Sequence, residues 1–345
     1  MSVLSGRTLP VIGAPMAGGV SSPLLVAAVS DAGGLGMIAA GYRTPEQLAT
    51  DLVHTRDLTS EPFGVNLFVP ADPARRSRDR RSHEAAVSRY REALQDRAQE
   101  LGVDAGHPQW EGDDHWEEKV VLIETFAPAV VSCTFGVPPV EVVRRWQAVG
   151  SEVHVTVTSP SEALAAAAAQ ADVLILQGQE AGGHRGSHEV EAEPEPIDHL
   201  GLLETVRGLV DLPLVAAGGI TTAGDLRRAL DAGAAGVQIG TALLLATESG
   251  ASMTYRAALR DPGLTERVTT RAFSGRVAGA VRNAFVDRYA ELAPPAFPAV
   301  DQVSRPVRAA AARAGDVHGI HIWAGAGWRA CQDRPAGEII RELAG

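Results

Sequence analysis

Short apolar runs bounded by Gly, Pro or Asp recur along most of the chain. Eight stand out: VIGAPM (11–16), LGMIAA (35–40), FGVNLF (63–68), VVSCTF (130–135), EVHVTV (152–157), VLILQG (173–178), PLVAAG (213–218) and GVQIGT (236–241). Their hydrophobicity is continuous rather than alternating, which predicts strands of a parallel sheet covered on both faces. Helix-like segments fall between them. SPLLVAAVSDAG (22–33) opens on Ser22 and Pro23 and closes on glycine, and TPEQLATDLVHT (44–55) repeats that start with Thr44 and Pro45. PPVEVVRRWQAVG (138–150), SPSEALAAAAAQ (159–170) and TTAGDLRRALDAG (221–233) follow the same rhythm. Strands that each lead into a helix predict an α/β fold, a (β/α)8 TIM barrel rather than an open sheet.

Two regions interrupt this rhythm. Residues 71–118 carry an arginine-rich stretch, ADPARRSRDRRSHEAAVSRYREALQDRAQELG, read as a solvated helical face rather than a phosphate site. Residues 246–316 read as helices broken at PPAFP (294–298), a smaller helical domain placed to cover the barrel mouth. The expected division is a barrel over 1–245 with a helical insertion at 71–118, a helical lid over 246–316, and a segment over 317–345 that returns to the barrel.

Composition narrows the chemistry. Hydrophobic residues make up 45% of 345, enough for a substantial core, and the formal net charge of -11 disfavours nucleic acid and anionic membranes as partners. The two cysteines, Cys133 and Cys331, give neither a disulfide framework nor metal-binding spacing. MSVLSGRTLP lacks the regions of a signal peptide, and no stretch reaches about 18 uninterrupted apolar residues, so a cytoplasmic protein is expected. Lys119 is the sole lysine and sits before the fourth strand, away from the strand ends, which disfavours Schiff-base chemistry.

Barrel sites are built at the carboxyl ends of the strands, with phosphate often held after the seventh and eighth. Here the seventh run ends in AAGGI (216–220) before a helix opening at Thr221 and Thr222, and the eighth ends in Gly240 and Thr241. Amides at helix starts attract anions, and Gly218 and Gly219 let the backbone approach one. The first run ends in APMAGG (14–19), whose two glycines after Met16 are consistent with main chain lying against a flat ring. Asn66 and Gln177 add neutral amides at the ends of the third and sixth runs. Such a site suits an isoalloxazine with a phosphate tail better than a metal.

The acid–base candidate is His184, delivered by Gly182 and Gly183 at the end of the sixth run in QGQEAGGHRG (177–186). Its reference pKa near neutrality suits a general base. His188, four residues on, would need a helix to share a metal with His184, and the glycines argue against one. His154 alternates with Thr156 and Thr158 opposite a valine face and reads as polar packing inside the barrel. His318 and His321 receive no local role.

These motifs resemble the class I nitronate monooxygenases, formerly 2-nitropropane dioxygenases. The likeness runs nearly end to end: PVIGAPMAGG, PFGVNLFVP, VVSCTFGVP, VTSPSEA, QGQEAGGHRG, LPLVAAGGI, GVQIGT, SGRVAGAVRN and WAGAGWRACQDRPAGEII. The resemblance implies FMN at the barrel mouth. Ala14, Pro15, Met16, Asn66, Gln177, Gly182, Gly183, Gly218, Gly219, Gln238, Gly240 and Thr241 would hold it, and His184 would be catalytic. It implies oxidation of alkyl nitronates such as propionate 3-nitronate, with neutral nitroalkanes as a further class, by O2 to carbonyl compounds and nitrite. A homodimer is compatible with it.

Relatives often carry a second histidine in a stretch like SFHFG, where this chain has Ser132-Cys133-Thr134-Phe135-Gly136, and WAGQG where it has Trp323-Ala324-Gly325-Ala326-Gly327. Thr134 and Gly19 are therefore assigned to the substrate pocket, with substrate range the property most affected. The competing readings are an FMN-dependent NAD(P)H:quinone reductase or enoyl-thioester reductase on the same barrel, a flavin-free phosphate-binding barrel, and a non-catalytic ligand-binding barrel.

Overall fold

The computed structural model describes residues 3–345. Each of the eight apolar runs forms a strand: β1 (Val11–Gly13), β2 (Gly36–Ala39), β3 (Phe63–Phe68), β4 (Val130–Thr134), β5 (Glu152–Val157), β6 (Val173–Gln177), β7 (Leu214–Ala217) and β8 (Gly236–Ile239). All neighbours pair in parallel, in the order β1-β8-β7-β6-β5-β4-β3-β2. A parallel bridge between Ile12 and Leu35, with Gly13 N donating to Leu35 O at 2.9 Å, joins β1 to β2 and closes the barrel.

Alternation along the strands explains why the runs are continuously apolar. Val131, Val153, Val155, Leu174, Leu176 and Val237 face outward into a core shared with the helices. Their neighbours Val130, Val173, Ile175 and Val215 point inward and, with Ile12, Leu35 and Met37, fill the lower barrel. Helices bind by the expected signals. Ser22 Oγ accepts from Leu25 N at 3.1 Å, and Thr44 and Gln47 exchange two bonds in a capping box. Such caps contribute roughly 1 kcal/mol each.

The region 71–118 holds one long helix, Pro73–Glu100, whose Val87, Tyr90, Leu94 and Ala98 form a buried stripe. Arg78, Arg80, Arg81 and Arg89 are exposed, whereas Arg76 buries Nε and Nη1 and Arg91 donates to Gly106 O at 2.9 Å, so only part of the arginine-rich face is solvated. That stripe packs with Phe273, Phe285, Val300 and Val303 from the 246–316 region, so both interruptions share one core. The 246–316 region, read as helices, also contains two strands, Arg267–Thr270 and Ala278–Val281. They form an antiparallel sheet completed by the two-residue strand Gly183–His184. The C-terminal segment returns to the barrel: Ala326 N donates to Glu180 O at 2.9 Å, and Gly325 N to Thr241 Oγ1 at 3.0 Å. The helix Ala336–Ala344 then buries Ile339 and Ile340 in the main core. Among the described residues no helix is long and apolar enough to cross a membrane.

Candidate active site

The parity that points valines inward at the bottom of the barrel points polar groups inward at its top. Asn66, Thr134, Thr156, Gln177 and Gln238 occupy inward positions near the carboxyl ends of β3, β4, β5, β6 and β8, and all line one cavity of about 690 Å³. That volume is in the range of a cofactor-sized ligand site. Asn66 is fixed by donating through Nδ2 to Ser132 Oγ at 2.9 Å and Thr134 Oγ1 at 3.0 Å. Gln238 Oε1 is buried with no partner among the described residues, a vacancy that a ligand N–H on the barrel axis would fill.

Main chain supplies the rest of the wall. Ala14, Pro15, Met16 and Gly19 line the cavity from the β1 loop, Gly218 and Gly219 from the β7 loop, and Gly240 and Thr241 from the β8 loop. Gly18 and Gly19 sit at φ of 81° and 97°, where a side chain is strained, and the space beside each is open. Gly182 and Gly183 complete the rim. The orphaned amide oxygen and the side-chain-free walls fit a flat ring with a tail. One expected anion contact is already taken: Asp225 Oδ2 accepts from Thr221 N at 3.0 Å and Thr222 N at 2.8 Å. The helix start after β7 is thus capped by its own carboxylate, and an anion would be left to the glycine loops themselves.

His184 reaches the cavity from the edge of the small sheet, where it pairs with Ala278. Gln177 staples its loop to β6, donating from Nε2 to His184 O at 3.0 Å and accepting from Gly186 N at 2.7 Å. The ring is held through Nε2, 2.8 Å from Ser274 Oγ, and is boxed by Phe135, Phe297 and Trp323 at centroid distances of 5.8, 5.5 and 5.2 Å. Burial, with the nearby Arg276 and Arg308 opposing Asp301, pushes its pKa down to about 3. This corrects the near-neutral expectation: the apolar box makes the imidazolium costly, so the ring is neutral throughout the physiological range.

The glycines beside His184 have distinct tasks. Gly183 has φ of 73°, and a Cβ on Gly182 would stand 2.5 Å from Ala324 C and Gly325 N. Gly182→Ala is therefore expected to push the 323–327 segment off the rim, lowering stability by about 1–3 kcal/mol. The denaturation midpoint of the purified variant should fall; an unchanged value would show that the segment yields freely.

Of the other singled-out side chains, His188 and Lys119 have structural partners. Nε2 of His188 lies 3.2 Å from Thr156 O. His154 is fully buried, and neither ring nitrogen makes a hydrogen bond among the described residues, although Nε2 lies 3.3 Å from Glu152 Oε1. Lys119 Nζ donates to Ala40 O at 2.9 Å and Asp114 Oδ2 at 2.7 Å. Sequence reasoning missed a charged cluster on the cavity wall: Asp301, Arg305, Arg308 and His321. Asp301 Oδ1 is 2.6 Å from Arg308 Nη2, and Oδ2 also receives Arg305. Their spacing along the helix Ala299–Arg313 puts all three on one face, a signal present in the sequence once that helix is recognised.

Residues 3–345 match the family model described as nitronate monooxygenase. A probable nitronate monooxygenase from Staphylococcus aureus strain Newman is 34% identical over 351 residues, covering 97% of this chain and 93% of that one. The crystal structure of nitroalkane oxidase from Streptomyces ansochromogenes is 42% identical, with a TM-score of 0.93 over 99% of this chain and 97% of that one. FabK from Thermotoga maritima, 24% identical with a TM-score of 0.75 over 99% and 93% of the chains, shares the fold. Family match, sequence relatives and a superimposable nitroalkane oxidase agree: the chain belongs to the nitronate monooxygenase family of flavin-dependent oxidoreductases.

Proposed function

We propose that this protein is an FMN-dependent nitronate monooxygenase that oxidises alkyl nitronates with O2 to carbonyl compounds and nitrite. The observation that carries this reading is a neutral, boxed imidazole, His184, on the wall of a cavity lined by glycines and uncharged amides. FMN bound there would supply the electron-accepting chemistry. Gln238 and Asn66 would hold its ring; Gly218, Gly219, Gly240 and Thr241 would hold its tail. Met16 and Pro15 would pack on it from β1, while His184, Thr134 and Gly19 face the substrate.

The neutral His184 bears on substrate choice. Removing the α-proton of a neutral nitroalkane creates an imidazolium inside an apolar box, which burial opposes. A preformed nitronate asks for no such proton transfer. Nitronates are therefore the favoured substrates, and neutral nitroalkanes the slower class.

Nitrite release from propionate 3-nitronate and from 2-nitropropane in air, run beside anaerobic mixing with NADH, tests the reading. Nitrite from the nitronate with no bleaching by NADH is expected. Bleaching without nitrite would instead establish a quinone or enoyl-thioester reductase, and a colourless protein a flavin-free barrel. With His184 neutral down to about 3, kcat/KM for the nitronate should lack a histidine inflection between roughly pH 5 and 8. An inflection near 6.5 that vanishes in His184→Asn would show an ordinary, titrating imidazole.

A further inference from the structure

His321 lines the same cavity as His184, and both rings flank one indole: each centroid lies 5.2 Å from that of Trp323. The contacts of His321 fix its tautomer. Arg308 Nη1 lies 2.8 Å from His321 Nδ1, and a guanidinium has only donors, so Nδ1 must present its lone pair. The ring proton then belongs to Nε2. Arg308 cannot turn away, because Nη2 is held by Asp301 Oδ1 at 2.6 Å and Nε donates to Ser304 Oγ at 3.0 Å. Ser304 Oγ is itself anchored on Phe273 O at 2.6 Å. Tyr255 and Phe273 lie edge-on to the ring at 6.2 Å and complete its packing. Among the described residues Nε2 has no protein partner.

We propose that His321 is a substrate-binding residue whose Nε2–H donates to an anionic oxygen of the substrate, on the cavity wall shared with His184. The inference rests on the nitronate reading above and deepens it. A neutral imidazole that accepts from a guanidinium on one nitrogen presents a polarised N–H on the other, and Asp301 balances the positive charge behind it. The wall thus offers an oriented donor to an anion, and Asp301 with its two partners Arg305 and Arg308 leaves one net positive charge beside it. The oxygen can belong to the nitronate group or to a remote carboxylate, and two substrates separate these sources.

Steady-state kinetics of His321→Phe on ethyl nitronate and on propionate 3-nitronate provide the test. Loss of a hydrogen bond to a charged group predicts a fall in kcat/KM of about 10- to 100-fold, carried mainly by KM. A fall on both substrates assigns the nitronate oxygen; a fall confined to propionate 3-nitronate assigns its carboxylate. His321→Gln, which keeps a carbonyl for Arg308 and an N–H near the place of Nε2, should recover part of the loss. Less than a twofold change in His321→Phe on both substrates, with flavin content and thermal midpoint preserved, overturns the proposal.

A nitrogen-15 spectrum of histidine-labelled protein provides an activity-independent check. His321 should show an unprotonated Nδ1 and a protonated Nε2, and the opposite tautomer or an imidazolium near neutral pH overturns the proposal even where a variant fails to fold. Absence of nitrite production by the parent enzyme would defeat the nitronate reading, whereas parent activity that survives His321→Phe undiminished would defeat only this one.

Discussion

Replacing His184 with asparagine is expected to lower kcat/KM for neutral nitroalkanes by about 10²–10⁴-fold, the usual contribution of a positioned general base. The same change should cost preformed nitronates no more than about tenfold, because only a hydrogen-bonding or packing contact is lost. The ring is a weak base in isolation, burial having pushed it down to about 3. The proton it takes leaves a nitronate beside the new imidazolium, and that opposite charge offsets part of the burial cost. Side-by-side initial rates of nitrite formation from 2-nitropropane and from its nitronate decide the matter. Equal losses on the two substrates would mean that the imidazole orients substrate and moves no proton.

The second large effect concerns stability. Asp301 is 4% exposed and Arg308 6%. Burial alone would raise the Asp301 carboxyl, but the Arg308 and Arg305 guanidinium groups outweigh it and hold it below the usual carboxylate range. Asp301→Asn leaves Arg308 buried without its counter-charge, and losing one partner of such a pair costs about 3–5 kcal/mol. Urea denaturation of the flavin-loaded variant should show a loss of that size. A change under about 1 kcal/mol would mean that solvent screens Arg308 more than the geometry implies. A carboxyl whose pKa is lower in the folded chain binds fewer protons there than in the unfolded chain. Its stabilisation is complete above the unfolded value near 4 and is lost as pH falls through the folded value. The acid-side limb of the parent's stability profile should therefore flatten in Asp301→Asn.

How much of this was legible in the sequence depended on the range of the contacts involved. The barrel was readable because a strand covered on both faces must be apolar at every position, as in VLIL (173–176) of β6. Where one face opens onto the cavity, the run breaks to Asn66, Gln177 or Gln238 at its upper end, which exposed that half of the site as well. The strands Arg267–Thr270 and Ala278–Val281 were not readable. They pair with each other over four residues, and only Ala278–Val281 also meets the two-residue strand Gly183–His184; pairings this short leave no periodic trace. His321 was equally opaque, since its environment comes from Arg308, thirteen positions away on a different element. Asp225 shows a motif read without its consequence: Thr222 and Asp225 form a capping box, which withdraws from any ligand the amides that the helix start seemed to offer.

The return of residues 323–327 to Glu180 and Thr241 bears on how the molecule is made in the cell. Translation delivers all eight barrel strands before it delivers Trp323, His321 or Gly325. A nascent chain can thus close its cylinder while the mouth still lacks one wall. Prosthetic-group loading should accordingly be a late event, following release of the 320–344 stretch from the ribosome. A nonsense codon within that stretch should yield a pale, collapsed barrel rather than a half-active enzyme.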